Sequence, residues 1–519
     1  MKEQVRLKSF AEVVFLLAAT VFLAHSIWTA SVKTHGFSTG GRALETDRCE
    51  IFLQLADAFE VMTTALSAYQ PLDAVRNQNA ENVLMAAEKC LSDAAKDDQD
   101  NPVVLTKLII VRHKLNLKGE ALFERLAKIR TDESERFAEG LSTVYGFSTA
   151  KFYQATEADK KNTQAPQSKG AQPSKNARGK SNLSAADQLA KKQFIVDRLP
   201  AGWFGQHALL DWQIRTGQVV QAQSTQKSID ERAHTFLILF GMFVAFSLCA
   251  LFVGSLIVII QLFLIGRRMT PPDQLPLVLA PANYGWIQIY KVFVLWLLTQ
   301  IIIGSICKPI MPGPNASVLA VSLFIMSTYT VSNAAGLFYI YWFGLRPHQI
   351  KFLDGLKLRL RIGKLGPVGM VFSGIATWLA CLPVVLVAYL IASHYFGSHG
   401  SANPVVAKIR DAAHAQDPLA IILFYVTIGV IAPICEESLF RGFLYTSLRR
   451  KLNVPMSMLM SAAAFSIAHL DFGAVLPLFA LGCVFAFVVE KTKSIVPSII
   501  AHGLWNSGTF TLVLLLFSG

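Results

Sequence analysis

The sequence predicts an all-α polytopic membrane protein with about nine transmembrane helices and an extra helical soluble domain between the first two spans. Two observations support this fold class. The 519 residues are 53% hydrophobic and only 16% charged, a composition typical of chains that lie largely in lipid. Apolar runs whose length is close to the roughly 20 residues needed to cross a bilayer recur along the chain. Such runs are missing between about residues 33 and 232.

The first apolar run, Phe10–Ala30, follows a basic start and is long for a signal peptide, so we predict an uncleaved anchor within residues 1–32. Residues 233–364 add further spans and basic loops, and residues 365–519 form a terminal membrane core. Eight further spans, which make nine with the anchor, are expected near residues 235–265, 285–306, 317–344, 367–394, 418–440, 455–470, 473–489 and 495–517. The last three of these are short or interrupted.

Basic clusters mark alternate loops between these spans, at residues 266–268, 346–364, 448–451 and 490–493. Because cytoplasmic loops collect Lys and Arg, this alternation predicts a cytoplasmic N-terminus and an extracytoplasmic domain at residues 33–232. We expect an integral protein of a bacterial inner (cell) membrane. The same rule explains the excess of 48 Lys and Arg over 35 acidic residues, so the lipid bilayer is the expected partner and nucleic acid is not.

The extracytoplasmic domain, residues 33–232, carries apolar residues at three- and four-residue spacing, which predicts amphipathic helices. Their succession resembles stacked helical hairpins that could bind a protein partner, although no clean repeat is visible. An insert near residues 156–185 is rich in Lys, Gln, Ser, Gly and Pro, so we expect it to be disordered. In an oxidising compartment Cys49 and Cys90 could form one disulfide.

Three polar groups of residues interrupt the terminal membrane core: Glu436, Glu437 and Arg441; Phe465 and His469; His502 and Asn506. Each ionised residue near the bilayer centre costs about 2.5–3.5 kcal/mol on insertion scales, so such residues mark functional sites. Residues four apart share one face of a helix. This spacing predicts a Glu437–Arg441 ion pair and a common direction for His502 and Asn506.

These side chains suit peptide hydrolysis. A carboxylate in an apolar cavity can take a proton from water, and a histidine can share that work, which assigns Glu436 and His469 to water activation. His502 and Asn506 could donate hydrogen bonds to the oxyanion of a tetrahedral intermediate. Phe465, one turn before His469, could form a wall of its pocket. A single histidine within a membrane helix more often forms a structural hydrogen bond to another helix. The whole set of polar residues within the last 84 residues favours a catalytic site instead.

The three motifs resemble those of the CPBP intramembrane proteases (CAAX proteases and bacteriocin-processing enzymes, the Abi family), which include type II CAAX prenyl endopeptidases. The family pattern of E-E-x-x-x-R, F-x-x-x-H and H-x-x-x-N appears here as "EESLFR", "FSIAH" and "HGLWN", in order. The resemblance covers roughly residues 365–517. It implies a helical membrane core and an intramembrane endopeptidase of membrane-associated proteins. It also implies catalytic roles for Glu436, His469, His502 and Asn506, with Glu437 and Arg441 supporting them.

Two alternatives remain open at this point. The family has been described as metalloproteases, and Glu436, His469 and His502 could supply a zinc set with one open position. We favour a mechanism without metal, because the chain has no H-E-x-x-H motif and asparagine is a poor zinc ligand. The rival function is a non-catalytic membrane scaffold or immunity-type protein of the same fold.

Overall fold

The fold is helical wherever the structure describes the chain. The computed structural model describes residues 53–54, 56–58, 73–97, 100–129, 131–147, 185–199, 203–267, 279–313, 316–360, 366–396, 417–469 and 473–517, and every regular element in these ranges is a helix. The predicted all-α class is confirmed. The predicted anchor, Cys49 and nearly all of the predicted disordered insert lie outside these ranges. The chain folds into two compact units, one mainly of residues 42–241 and the other mainly of residues 242–514.

The first unit is built from short amphipathic helices whose ends follow from local sequence. They are α1 (Asp73–Asp97), α2 (Pro102–Lys114), α3 (Glu120–Lys128), α4 (Asp132–Tyr145), α5 (Ala185–Arg198), α6 (Trp203–Arg215) and the beginning of α7 (Val219–Gly266). Asn101 caps α2 by accepting bonds from two backbone N–H groups, and Thr131 forms a capping box on α4. Helices adjacent in sequence from α1 to α6 pack against each other around a common apolar core.

Cys90 is in a disulfide bond, while its predicted partner Cys49 lies outside the described residues, so the pairing itself stays a prediction.

His207 is buried at 3% exposure. Its Nε2 lies 3.0 Å from a carboxylate oxygen of Asp57, and its Nδ1 lies 2.7 Å from Nζ of Lys114. It therefore ties residues distant in sequence together.

Seven helices of the described chain are long and apolar enough to cross a membrane. They are α7, α8 (Trp286–Cys307, extended by a single turn), α9 (Val318–Tyr339, extended by a π-helical turn), α10 (Pro367–Phe396), α11 (Pro418–Leu448), α13 (Val475–Thr492) and α14 (Val496–Phe517). Between α11 and α13 lies α12 (Val454–Ala468), whose 15 residues span only about 22 Å at 1.5 Å per residue. This element corresponds to the predicted span at 455–470 and is shorter than the other spans.

Small residues let the helices around α11 approach closely. A Cβ atom on Gly503 of α14 would lie 2.5 Å from the carbonyl oxygen of Gly429 in α11, and one on Gly482 of α13 would lie 2.9 Å from Ala462 of α12. Only glycine fits at either crossing, as at the close contacts between membrane helices in general. Helices α11 and α14 therefore meet at backbone distance, which places the polar residues of one helix beside those of the other.

Candidate active site

The predicted ion pair on α11 is present and fully buried. Nη1 of Arg441 donates to Oε1 of Glu437 at 2.8 Å, and both side chains are 0% exposed. Arg441, one turn after Glu437, lies in a π-helical segment, Ser438–Tyr445. Its guanidinium lies over the ring of Phe465, at 4.2 Å from the ring centroid. π-helical turns are frequent at functional sites. The pair neutralises both charges inside the apolar core.

His502 of α14 joins this pair. Its Nδ1 lies 3.0 Å from the same Oε1 atom of Glu437, and its ring packs at 5.3 Å from the ring of Phe485 on α13. Since an ionised carboxylate only accepts hydrogen bonds, Nδ1 of His502 carries the hydrogen. A neutral His502 would then present a lone pair at Nε2. To donate from Nε2 as well, the ring must be an imidazolium, which the sequence-based assignment did not consider.

Glu436 faces both histidines. Its Oε2 atom lies 3.8 Å from Nε2 of His469 and 3.8 Å from Nε2 of His502, beyond direct hydrogen-bond distance. Glu436 is 8% exposed, and Oε2 is a buried atom without a hydrogen-bond partner in the structure as described. A buried carboxylate oxygen of this kind is expected to bind a donor from a ligand or from water.

His469 follows the last residue of α12, and the preceding turn fixes its ring. Its Nδ1 lies 2.8 Å from the backbone oxygen of Phe465, and the two rings are 4.7 Å apart. A carbonyl oxygen accepts, so the hydrogen sits on Nδ1, and the Nε2 of a neutral ring faces Glu436 as a base. The side chain of His469 is 31% exposed, against 10% for Glu436 and 4% for His502. The site is thus most accessible from the His469 side.

Asn506 lies one turn beyond His502 on α14 and is held by the backbone. Its Nδ2 donates to the carbonyl oxygen of Ile428 at 3.0 Å. Ile428 belongs to a π-helical segment of α11, Thr427–Ile431, and the altered bonding of such a turn frees carbonyl groups for side chains. One amide hydrogen of Asn506 is used in this bond, and the other can donate to a ligand.

The structure also places a side chain at the site that the sequence analysis missed. The hydroxyl of Tyr329 on α9 donates to Oε1 of Glu436 at 3.1 Å, across 107 positions of sequence. A signal exists in the sequence, because "STYTVSN", residues 327–333, is a polar stretch within a predicted span. Its spacing alone could not tell which helix it faces.

The three candidate zinc ligands are spaced slightly wider than a tetrahedral zinc site requires. Tetrahedral zinc with bonds of about 2.0–2.2 Å brings its ligand atoms to roughly 3.3–3.6 Å from each other. Oε2 of Glu436 is 3.8 Å from each histidine Nε2. Among the His, Cys, Asp and Glu side chains of the described ranges, no group of three is arranged to hold a metal ion. We therefore derive no catalytic step through zinc.

Comparison with known proteins supports the motif-based resemblance. Residues 418–508, which contain all three motifs, match the family of Rce1-like type II CAAX prenyl endopeptidases. This chain carries an Rce1-like segment. The resemblance predicted from the motifs is confirmed, although the matched segment is narrower than the predicted residues 365–517. It comprises α11 to the middle of α14, so Tyr329 lies outside it.

A bacterial relative gives a second finding. The chain is 32% identical over 134 residues to YdiL of Bacillus subtilis (strain 168), described as a candidate membrane peptidase. The match covers 25% of this chain and 54% of YdiL, so the chain spans about half the length of this curated relative. No solved structure matches the chain. Together with the seven membrane-length helices, these findings identify an integral membrane protein.

Proposed function

We propose that this protein is an intramembrane endopeptidase that hydrolyses peptide bonds of membrane-associated proteins. The observation that carries the proposal is the buried Oε2 atom of Glu436, which has no hydrogen-bond partner in the described structure and faces the Nε2 atoms of two histidines. Glu490 uses both oxygens in bonds between helices, with Tyr445 and Arg449. Oε2 of Glu437 also has no hydrogen-bond partner in the described structure, but Glu437 is held through Oε1 by Arg441 and His502. Glu436 differs because its unbonded oxygen faces two imidazole nitrogens. The non-catalytic scaffold is therefore the less favoured alternative.

The attacking water belongs between Glu436 and His469. Oε2 of Glu436 and the unprotonated Nε2 of His469 are both acceptors, and a water that donates to both satisfies them together. As the water oxygen bonds to the scissile carbonyl carbon, Glu436 takes one of its protons as general base. His469, which is the more exposed of the two histidines, can exchange protons with the substrate side of the site.

His502 and Asn506 would stabilise the negative charge that forms on the carbonyl oxygen. His502 donates from Nε2 as an imidazolium, with Glu437 holding its Nδ1–H, and Asn506 donates the amide hydrogen not used by Ile428. The charges balance in this state, because two carboxylates, Glu436 and Glu437, face two cations, Arg441 and His502. Such balance is what a buried cluster requires.

Collapse of the tetrahedral intermediate breaks the C–N bond and needs a proton for the leaving amine. Glu436 holds the proton taken from water, and His469 lies 3.8 Å away on the exposed side of the site. Transfer of that proton to His469 through a bridging water, and from His469 to the amine nitrogen, yields a carboxylic acid and an amine and restores both groups. The second proton of the attacking water stays on the acid and is lost to solvent when the product ionises.

The proposed substrates are proteins already at the membrane, because the site lies among membrane helices. The name of the matched family refers to prenylated CAAX proteins, but no described residue here is assigned to a prenyl group, so the proposal stops at membrane-associated substrates. Residues 33–232 remain a candidate region for binding a protein partner.

Quantitative membrane proteomics tests the proposal directly. Cells that produce the wild-type protein are compared with cells that produce Glu436→Gln, and membrane proteins that stay uncut in the variant are the candidate substrates. Glu490→Gln is the matched control, since it neutralises another buried carboxylate of the same unit. If Glu436→Gln and wild-type cells have the same membrane peptide termini, the endopeptidase proposal is wrong.

Asn506→Ala should lower kcat by about 10²–10³ while KM changes little, because loss of one oxyanion donor typically has this effect. The kinetics are measured on a peptide that spans a cleavage site found by the proteomics. Thr511→Ala, on the same helix, is the control, since it removes a hydroxyl bonded to Tyr425 instead. An Asn506→Ala enzyme with the kcat of the wild type would remove Asn506 from the mechanism.

The purified enzyme should contain no stoichiometric zinc and should keep its activity in a chelator. The physical reason is the spacing of 3.8 Å between Glu436 Oε2 and each imidazole, which suits a bridging water better than shared metal bonds. Elemental analysis with activity assays checks this. One zinc per chain, lost together with activity on chelation and restored with it, would establish the zinc-dependent version of the protease.

A further inference from the structure

We propose that Tyr329 is a positioning residue for Glu436, and that the active site therefore includes a helix outside the Rce1-like segment. This inference rests on the proposed function for its catalytic consequence. Its structural basis is the hydrogen bond of 3.1 Å from the hydroxyl of Tyr329 to Oε1 of Glu436. The phenol reaches the carboxylate from α9, whereas the three motifs all lie on α11 to α14.

The two oxygens of Glu436 have different surroundings. Oε1 accepts the bond from Tyr329, while Oε2 faces His469 and His502. A carboxylate anchored at one oxygen cannot rotate freely about its terminal torsion. The bond therefore keeps Oε2 directed at the place where the water must sit. Without it, both oxygens could exchange places and the carboxylate could turn away from the imidazoles.

The nature of the donor matters as much as its position. Tyr329 donates a neutral O–H group, so it stabilises the ionised form of Glu436 without adding a cation. A lysine or arginine in its place would form an ion pair and weaken the carboxylate as a base. A neutral hydroxyl donor fixes one oxygen of the carboxylate and leaves the second oxygen able to take a proton.

The backbone around Tyr329 is itself fixed. The side-chain amide of Asn333, one turn later on α9, donates to the carbonyl oxygen of Tyr329 at 2.9 Å, and Asn333 is buried at 5% exposure. Helix α9 packs against α11 at the level of Glu436. The hydroxyl is thus presented by a rigid element, which is what a group that orients a catalytic side chain requires.

Tyr329→Phe removes the hydroxyl and keeps the ring, and Tyr339→Phe is a matched control on the same helix. Tyr339→Phe also removes one hydrogen bond between hydroxyl groups, the bond of 2.7 Å between Tyr339 and Thr299. This bond does not involve Glu436. The first readout does not depend on catalysis. N,N′-dicyclohexylcarbodiimide modifies protonated carboxyl groups in membranes, and peptide mass spectrometry measures its rate at Glu436 in the purified full-length protein, with Glu436→Gln as the blank.

We expect Tyr329→Phe to speed labelling of Glu436 by about 10- to 100-fold, because the lost hydrogen bond from a neutral donor to this carboxylate is worth roughly that factor and competes with reaction at the carboxyl group. Tyr339→Phe should label at the wild-type rate. Equal rates in the two tyrosine variants would overturn the proposal. An equal acceleration at Glu490 in the same Tyr329→Phe sample would overturn it too, since the helices would then have loosened generally.

The second readout uses the peptide substrate. Tyr329→Phe should lower kcat by about 10- to 100-fold with KM nearly unchanged, whereas Tyr339→Phe should leave both constants near wild type. A raised KM with unchanged kcat would contradict a positioning role. If the wild-type protein cleaves no peptide at all, the proposed function fails, while the labelling experiment still decides whether Tyr329 controls Glu436.

Discussion

Replacing Glu436 with glutamine should reduce peptide hydrolysis by about 10²–10⁴-fold, the range that a general base contributes. Glutamine has nearly the same shape and can still accept the hydrogen bond from Tyr329 at its amide oxygen. It cannot take a proton from water. We therefore expect the loss in kcat, with insertion into the membrane and thermal unfolding close to wild type, because the change also removes a buried charge.

The measurement is steady-state kinetics on the purified protein, together with its unfolding temperature. Glu490→Gln is the control that separates chemistry from folding. Glu490 is fully buried and bonded to Tyr445 and Arg449, so its neutralisation should lower the unfolding temperature but leave kcat near wild type. Normal cleavage by purified Glu436→Gln would show that Glu436 is not the catalytic base, whatever the unfolding temperature of the variant.

The largest effect on stability is expected from Arg441→Ala. The guanidinium is fully buried between Glu437 and the rings of Phe465 and Phe485, at 4.2 and 5.2 Å from their centroids. Its removal leaves Glu437 as a buried charge without its arginine partner, beside His502 and Ser498. Breaking a buried pair in this way costs about 3–5 kcal/mol. We expect a large fall in the unfolding temperature and in the yield of inserted protein.

An exposed ion pair of the same spacing provides the control. Lys227 and Glu231 are also four positions apart, with Nζ and Oε1 3.8 Å from each other, but their side chains are 78% and 69% exposed. Solvent screens such a pair, so Lys227→Ala should leave the unfolding temperature almost unchanged. If Arg441→Ala unfolds at the same temperature as Lys227→Ala, the Glu437–Arg441 pair does not stabilise the membrane unit.

Helix pattern and local spacing could be predicted from the sequence because they depend on neighbours within one or two turns. The apolar runs predicted the membrane helices to within a few residues at most ends, since an 18- to 25-residue apolar run has few other stable structures in lipid. The four-residue spacing of Glu437 and Arg441 likewise predicted their ion pair, because helix geometry alone brings the two side chains together.

Relations between helices needed the tertiary structure. At 1.5 Å per residue, His469 lies about 20 Å along its helix from the basic loop at residues 448–451, so sequence spacing alone does not bring it level with Glu436 and His502. The short helix α12 and the close crossing of α11 with α14 at Gly429 and Gly503 bring the three side chains together. Helix packing angles and crossing points depend on the surfaces of both partners, and a single sequence pattern describes only one of them.

The sequence by itself determined that this is a helical membrane protein and which charged residues of its last spans had to meet. The motifs were sufficient for this prediction because ionised groups in an apolar segment are stable only when they pair with one another or with other polar groups. Only the tertiary structure decided how they meet: that Glu437 holds Nδ1 of His502, that Asn506 binds a carbonyl of the π-helical turn, and that Tyr329 bonds to Glu436. A hydrogen bond needs two atoms within about 3 Å, and across 107 positions of sequence only the folded chain fixes that distance.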